Sequence, residues 1–76
     1  MRTKKFNVSL APFNSVKVFD SEFGTVLRTL KISEGTIIGN PAVSGNDLTV
    51  RIQKDDIVIE NVYVLPLGLI KKSTIV

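Results

Sequence analysis

The 76-residue sequence predicts an all-β domain: a small antiparallel sandwich or barrel of about seven strands with no substantial helix. Three observations predict it. Val, Ile and Thr supply 24 of the residues, and β-branched side chains suit a pleated surface better than a helix. Good helix formers are scarce, with two Ala, one Gln and three Glu, so little favours helical turns. Short apolar–polar alternations are punctuated by turn residues at intervals of roughly 8–12 residues, the spacing of small all-β folds.

The elements follow in order. Phe6, Val8 and Leu10 alternate with Asn7 and Ser9, which predicts a half-buried strand over 6–10. Val16 and Val18 alternate with Lys17 over 15–20, and Phe19 adds an apolar group to the opposite face. Residues 25–32 carry Val26, Leu27, Leu30 and Ile32 on both faces. Residues 36–44 form a strand bent at Pro41, because Asn40 precedes a proline and is held extended. Leu48, Val50 and Ile52 alternate with Thr49, Arg51 and Gln53 over 48–53. Residues 57–64 and 69–76 complete the set. Ser21-Glu-Phe-Gly24, Ser33-Glu-Gly-Thr36, Ser44-Gly-Asn-Asp47, Lys54-Asp-Asp56 and Leu65-Pro-Leu-Gly68 are the turns between them. Gly24 and Gly35 are both expected to supply positive φ.

The missing residues exclude chemistry. The chain has no cysteine and no histidine. Disulfides, thiolate metal sites, thiol nucleophiles and an imidazole base are therefore absent. Asp55-Asp56 reads as a solvated hairpin corner beside Lys54, and Ser44 has no neighbour that would activate it. No enzyme, cofactor or metal is expected. No run reaches the roughly 20 apolar residues of a membrane helix, so no membrane partner is expected.

The net charge is +3. Residues 1–5 form a basic arm with Arg2, Lys4 and Lys5, and residues 6–76 form a single β domain. The stretch after the arm is too short and too polar for a signal peptide. A location in a virion or in the host cytoplasm is expected, without secretion through such a peptide.

An echo runs through the chain. Val16-Lys-Val18, Gly24-Thr-Val26-Leu-Arg28 and Ile32 recur loosely as Val62-Tyr-Val64, Gly68-Leu-Ile70-Lys-Lys72 and Val76. Each copy reads strand, glycine turn, strand. Asn14-Ser-Val-Lys-Val-Phe-Asp20 followed by Gly24-Thr-Val-Leu-Arg-Thr-Leu30 resembles the outer hairpin of a β-propeller blade. Gly39-Asn-Pro-Ala-Val-Ser-Gly-Asn-Asp-Leu-Thr-Val50 is similar to the inner strands of the next. The phrasing is that of tryptophan–aspartate or quinoprotein-type repeats, over about residues 14–76. The resemblance implies a propeller-blade-like sheet. Blades run to roughly 40–50 residues, so several copies would be needed to close a ring.

Size sets the functional expectation. A core of this length yields only about 3–5 kcal/mol, and small chains usually add a disulfide, a metal or a partner surface. With the first two excluded, a partner is expected. The leading expectation is a non-enzymatic structural or assembly protein. It would act as a homo-oligomer or as a small subunit of a larger complex with other structural proteins. A bacteriophage virion component, such as a decoration, spike, head or tail accessory protein, fits a small basic cysteine-free β chain. The expected subunit interface is Val26, Leu27, Leu30, Ile57, Ile59, Tyr63 and Leu65, on strands apolar on both faces. The alternative is a small basic barrel that binds single-stranded nucleic acid. There Arg2, Lys4, Lys5, Lys71 and Lys72 would meet phosphates, or an acidic partner, and Phe6 with Phe13, or Phe19 with Tyr63, would stack on bases. A peptide-binding adaptor working by strand addition is a third class that no residue favours.

Overall fold

The computed structural model describes residues 5–76. Seven strands follow in order: β1 (Phe6–Ala11), β2 (Ser15–Asp20), β3 (Val26–Lys31), β4 (Thr36–Ser44), β5 (Asp47–Lys54), β6 (Ile57–Val64) and β7 (Leu69–Ile75). Each lies within one residue of its expected bounds. They form two antiparallel meanders, a three-stranded sheet β1-β2-β3 and a four-stranded sheet β4-β5-β6-β7. The arrangement is sandwich-like, with no helix among the described residues.

Period-two alternation decides which side chains face inward. Val8, Val18 and Arg28 stand in one cross-strand row of the smaller sheet, and Leu10, Val16 and Leu30 in the next. In the larger sheet Ile37, Ile52, Ile59 and Ile75 form a row spanning all four strands. Val43, Leu48, Tyr63 and Ile70 form a second. Where the sheets overlap, Phe6, Val16, Val18, Ile32, Leu48, Val50, Ile52, Tyr63 and Leu65 close the core, with Val8, Leu30, Ile37 and Val43 packed against it.

The overlap is partial. β1 lies beside β4 on one flank. On the other flank Arg28 Nε donates to the Pro66 carbonyl at 3.0 Å, and Leu30 packs against Gly68. The smaller sheet thus runs from β4 to the β6–β7 turn. It leaves the corner made by the start of β6 and the end of β7 uncovered. The 40 Å long axis of the molecule exceeds the roughly 27 Å of an eight-residue strand, as two offset sheets require.

One chain crossing joins the sheets, residues 32–35, and Asn14 holds it. The Ile32 N–H donates to the Asn14 carbonyl at 3.0 Å. Asn14 Nδ2 donates to the carbonyls of Ile32 (2.8 Å) and Gly35 (2.6 Å), while the Ile37 N–H donates to Asn14 Oδ1 (2.9 Å). Asn14 sits at φ 58, a left-handed conformation that asparagine tolerates better than most residues. The crossing pinches onto β5. A Cβ at Gly35 would fall on Ile52 Cγ2 and 2.7 Å from the Gln53 carbonyl oxygen. Gly35 is therefore needed for close approach. The expected positive φ is found at Gly24 (φ 75) and not at Gly35.

β4 absorbs its proline at a bulge. Ile38 pairs with Arg51 and Ala42 with Thr49, so residues 39–41 face Val50 alone. An edge strand and a bulge are the places where a sheet accepts a proline.

Removing the Asn14 side chain strands two carbonyls and one N–H at the crossing, so Asn14→Ala is expected to destabilise the chain by about 2–4 kcal/mol. That is most of what a core this small supplies. Asn14→Gly, which restores only the backbone conformation, should recover a small part. Gly35→Ala should act in the same direction. Urea unfolding at one fixed chain concentration measures all three, and a midpoint equal to that of the parent for Asn14→Ala would remove the crossing from its assigned role.

Candidate interaction surface

The flank opposite β1 and β4 carries two free strand edges, β3 and β7. Every residue of β7 is exposed, as is all of β3 except Leu30. Both edges are bulged in the same way. Val18 pairs with Arg28 and Phe19 with Val26, so Leu27 is the extra residue of β3. Val62 pairs with Lys72 and Tyr63 with Ile70, so Lys71 is the extra residue of β7. Each bulge comes three residues after a turn glycine of positive φ, Gly24 (75) or Gly68 (79). The echo read in the sequence is therefore two bulged hairpins, β2–β3 and β6–β7, one in each sheet. Bulges and lysines on free edges oppose indiscriminate strand pairing.

The apolar side chains left outside are concentrated on this flank. Val26 and Leu27 are exposed on β3; Val64, Leu67, Leu69, Ile70, Ile75 and Val76 are exposed on and around β7. Of the expected interface residues, Val26, Leu27 and Ile57 are exposed and Ile59 is half-buried. Leu30 packs against the core. Tyr63 and Leu65 belong to the core itself, at 5 % and 3 % exposure. Assigning those two to a subunit contact is corrected. β6 parity turns Tyr63 inward, and the Leu65 N–H donates to the Asn46 carbonyl at 2.8 Å, folding the residue under the turn. Leu67, Leu69, Ile70, Ile75 and Val76 were not expected there. Their signal was present as two apolar pairs, Leu69-Ile70 and Ile75-Val76, flanking four polar residues.

A polar cluster borders the uncovered corner. Asn61 is buried on the inner face of β6. Its Nδ2 donates to Tyr63 Oη (3.2 Å) and to Glu34 Oε2 (3.3 Å), and Ser73 Oγ donates to Asn61 Oδ1 (2.6 Å). Burial is the main cause that raises the Tyr63 pKa above 10.0. The Asn61 hydrogen bond lowers it, and the Glu34 charge raises it further. Among the described residues no three acidic side chains gather as a metal site would need.

Among the described residues, the basic side chains of that expectation do not converge. Arg2 and Lys4 lie outside the described residues. Lys5 precedes β1, on the β4 flank, whereas Lys71 and Lys72 sit on β7, three strands away across the larger sheet, or about 14 Å. Lys71 Nζ is bound to Asp47 Oδ2 at 3.1 Å. Of the aromatic residues proposed to stack on bases, Phe6 and Tyr63 are buried and Phe19 is half-buried. Phe13 alone stands out, at the β1–β2 turn with φ 64. Asp55 and Asp56 form an exposed turn, and Asp55 adopts φ 54.

Tyr63 is the sole tyrosine, so its ionisation can be read directly. Because burial raises its folded pKa, its contribution to stability is intact below pH 10 and is lost as the pH rises through the folded value. The tyrosinate absorbance of the folded chain should titrate above 10, and Glu34→Gln should lower the midpoint. A midpoint at the free-tyrosine value would contradict this environment. Comparison of the chain with family models, with curated proteins and with solved structures returns no match.

Proposed function

We propose that the chain is a non-enzymatic assembly subunit that works as a homo-oligomer or inside a larger complex of structural proteins. One observation carries this. Among the described residues, twelve large apolar side chains are exposed against nine that form the core. Burying an apolar side chain contributes about 1.5–3 kcal/mol, so a core of nine is small against the ordering of seven strands. Eight of the twelve lie on or around β3 and β7. Contiguous exposed apolar surface on a small domain marks an interaction site.

The free flank supplies what such a contact needs: two unpaired strand edges and the side chains of β7. Polar chemistry on this flank is limited to exposed groups and the Asn61 cluster, whose polar side chains satisfy one another. A virion setting belongs to the same proposal and is tested by finding the chain in purified particles. The closed ring implied by the blade resemblance would be one form of such an assembly.

Light scattering coupled to size exclusion tests the reading. A mass of two or more times 8.3 kDa, falling on dilution, is expected. A stable single-chain mass across the dilution series, with no binding to a larger particle, would end it.

A further inference from the structure

We propose that two copies join through β7, antiparallel about a two-fold axis at Ser73, so that the two larger sheets become one continuous eight-stranded sheet. The inference rests on the homo-oligomer reading and specifies its surface.

The order of residues in β7 supports this. Leu69-Ile70 stand at one end, Ile75-Val76 at the other, and Lys71-Lys72-Ser73-Thr74 lie between. Opposed residues in an antiparallel pair share a face of the sheet. Cross-strand partners set the faces here. Ile75 lies opposite Ile59 and Ser73 opposite Asn61; Ile70 lies opposite Tyr63, and all three are on the inner face. Lys72 and Thr74 lie on the outer face with Val62 and Glu60, and Leu69 lies there with Val64. The extra residue at Lys71 makes Lys71 and Lys72 share one position. With that count, a two-fold at Ser73 sets Ile70 against Ile75 of the second copy and Leu69 against Val76. The lysine pair falls opposite Thr74, and Ser73 falls opposite itself. Every pair matches in face, apolar residues meet apolar residues, and no lysine faces a lysine. Without the bulge the same axis would set Lys71 against Ile75 and Ile70 against Val76, so the bulge sets the register.

The backbone agrees. The Val76 N–H donates to the Val58 carbonyl at 2.8 Å. Alternation along the strand then turns the N–H and C=O of Ser73 and Ile75 toward the free edge. Ser73 and its symmetry mate can exchange two hydrogen bonds. Across the axis the inner row Ile37, Ile52, Ile59, Ile75 continues into Ile70 and Tyr63 of the second copy. The uncovered corner is thereby flanked by apolar neighbours.

β3 lacks this property. Its sequence Val26-Leu-Arg-Thr-Leu-Lys31 is apolar at one end and basic at the other. A two-fold at its centre would set Val26 against Lys31.

The chain has no cysteine, so single cysteines report contacts cleanly. Two strands hydrogen-bonded at this position place their Cα atoms about 5.5 Å apart, within disulfide range. Under mild oxidation, Ser73→Cys should give a covalent dimer and Thr29→Cys, on β3, should not. Ile70→Lys, which leaves the Ser73–Asn61 bond intact, should shift the light-scattering mass toward a single chain while the β circular-dichroism signal persists. A multi-copy mass in which Thr29→Cys cross-links and Ser73→Cys does not, or which Ile70→Lys leaves unchanged, overturns the β7 contact and keeps self-association. A single-chain mass for the parent overturns both.

Discussion

The structure depends on the crossing between its sheets. Seven strands in two meanders are joined by four residues, and one asparagine side chain anchors both ends of that link. Asn14 supplies two donors and an acceptor where the backbone leaves β3 and enters β4. Gly35 lets the link lie flat on β5. Together they fix the angle at which the smaller sheet meets the larger. That angle decides what is covered. The smaller sheet reaches from β4 to Pro66 and no further, so the core forms over β4, β5 and the second half of β6. The isoleucine row is left half covered: Ile52 is fully buried and Ile75 is 67 % exposed.

The function proposed here is a consequence of that geometry. The free flank is rich in apolar groups at its two strand edges. The ion pairs Arg51–Glu60, between β5 and β6, and Lys71–Asp47, between β7 and the start of β5, are exposed and add little to stability. They do hold charged side chains in place along the larger sheet. The lysines and bulges restrict which strands can pair with these edges, so they bear on partner choice more than on fold stability.

Much of the architecture was legible in the residues. Alternation located β1, β2 and β5, whose inner faces carry Phe6, Val8 and Leu10, then Val16 and Val18, then Leu48, Val50 and Ile52, and turn chemistry placed the breaks at Gly24, Gly45 and Gly68. The division into two sheets was not legible, since alternation assigns a face and not a partner strand. Two-sided apolarity misled at 57–65. Ile57 and Ile59 are exposed or half-buried, but Tyr63 and Leu65 lie at the covered end of the same segment, and only the angle between the sheets separates the two ends. Gly35 was read as a turn glycine because close approach leaves no local signal. The apolar ends of β7 were visible as letters, but their meaning required the bulge at Lys71, which long-range pairing reveals.

In the proposed assembly the β7 edge is occupied by another copy. Amide hydrogen exchange resolved along β7 tests this most directly. The Thr74 amide, which points into the sheet, should be protected at every concentration. The Ser73 and Ile75 amides should be protected in concentrated solution and lose that protection together on dilution. If Ser73 and Ile75 exchange as free amides at all concentrations, the edge is open and the central claim is wrong.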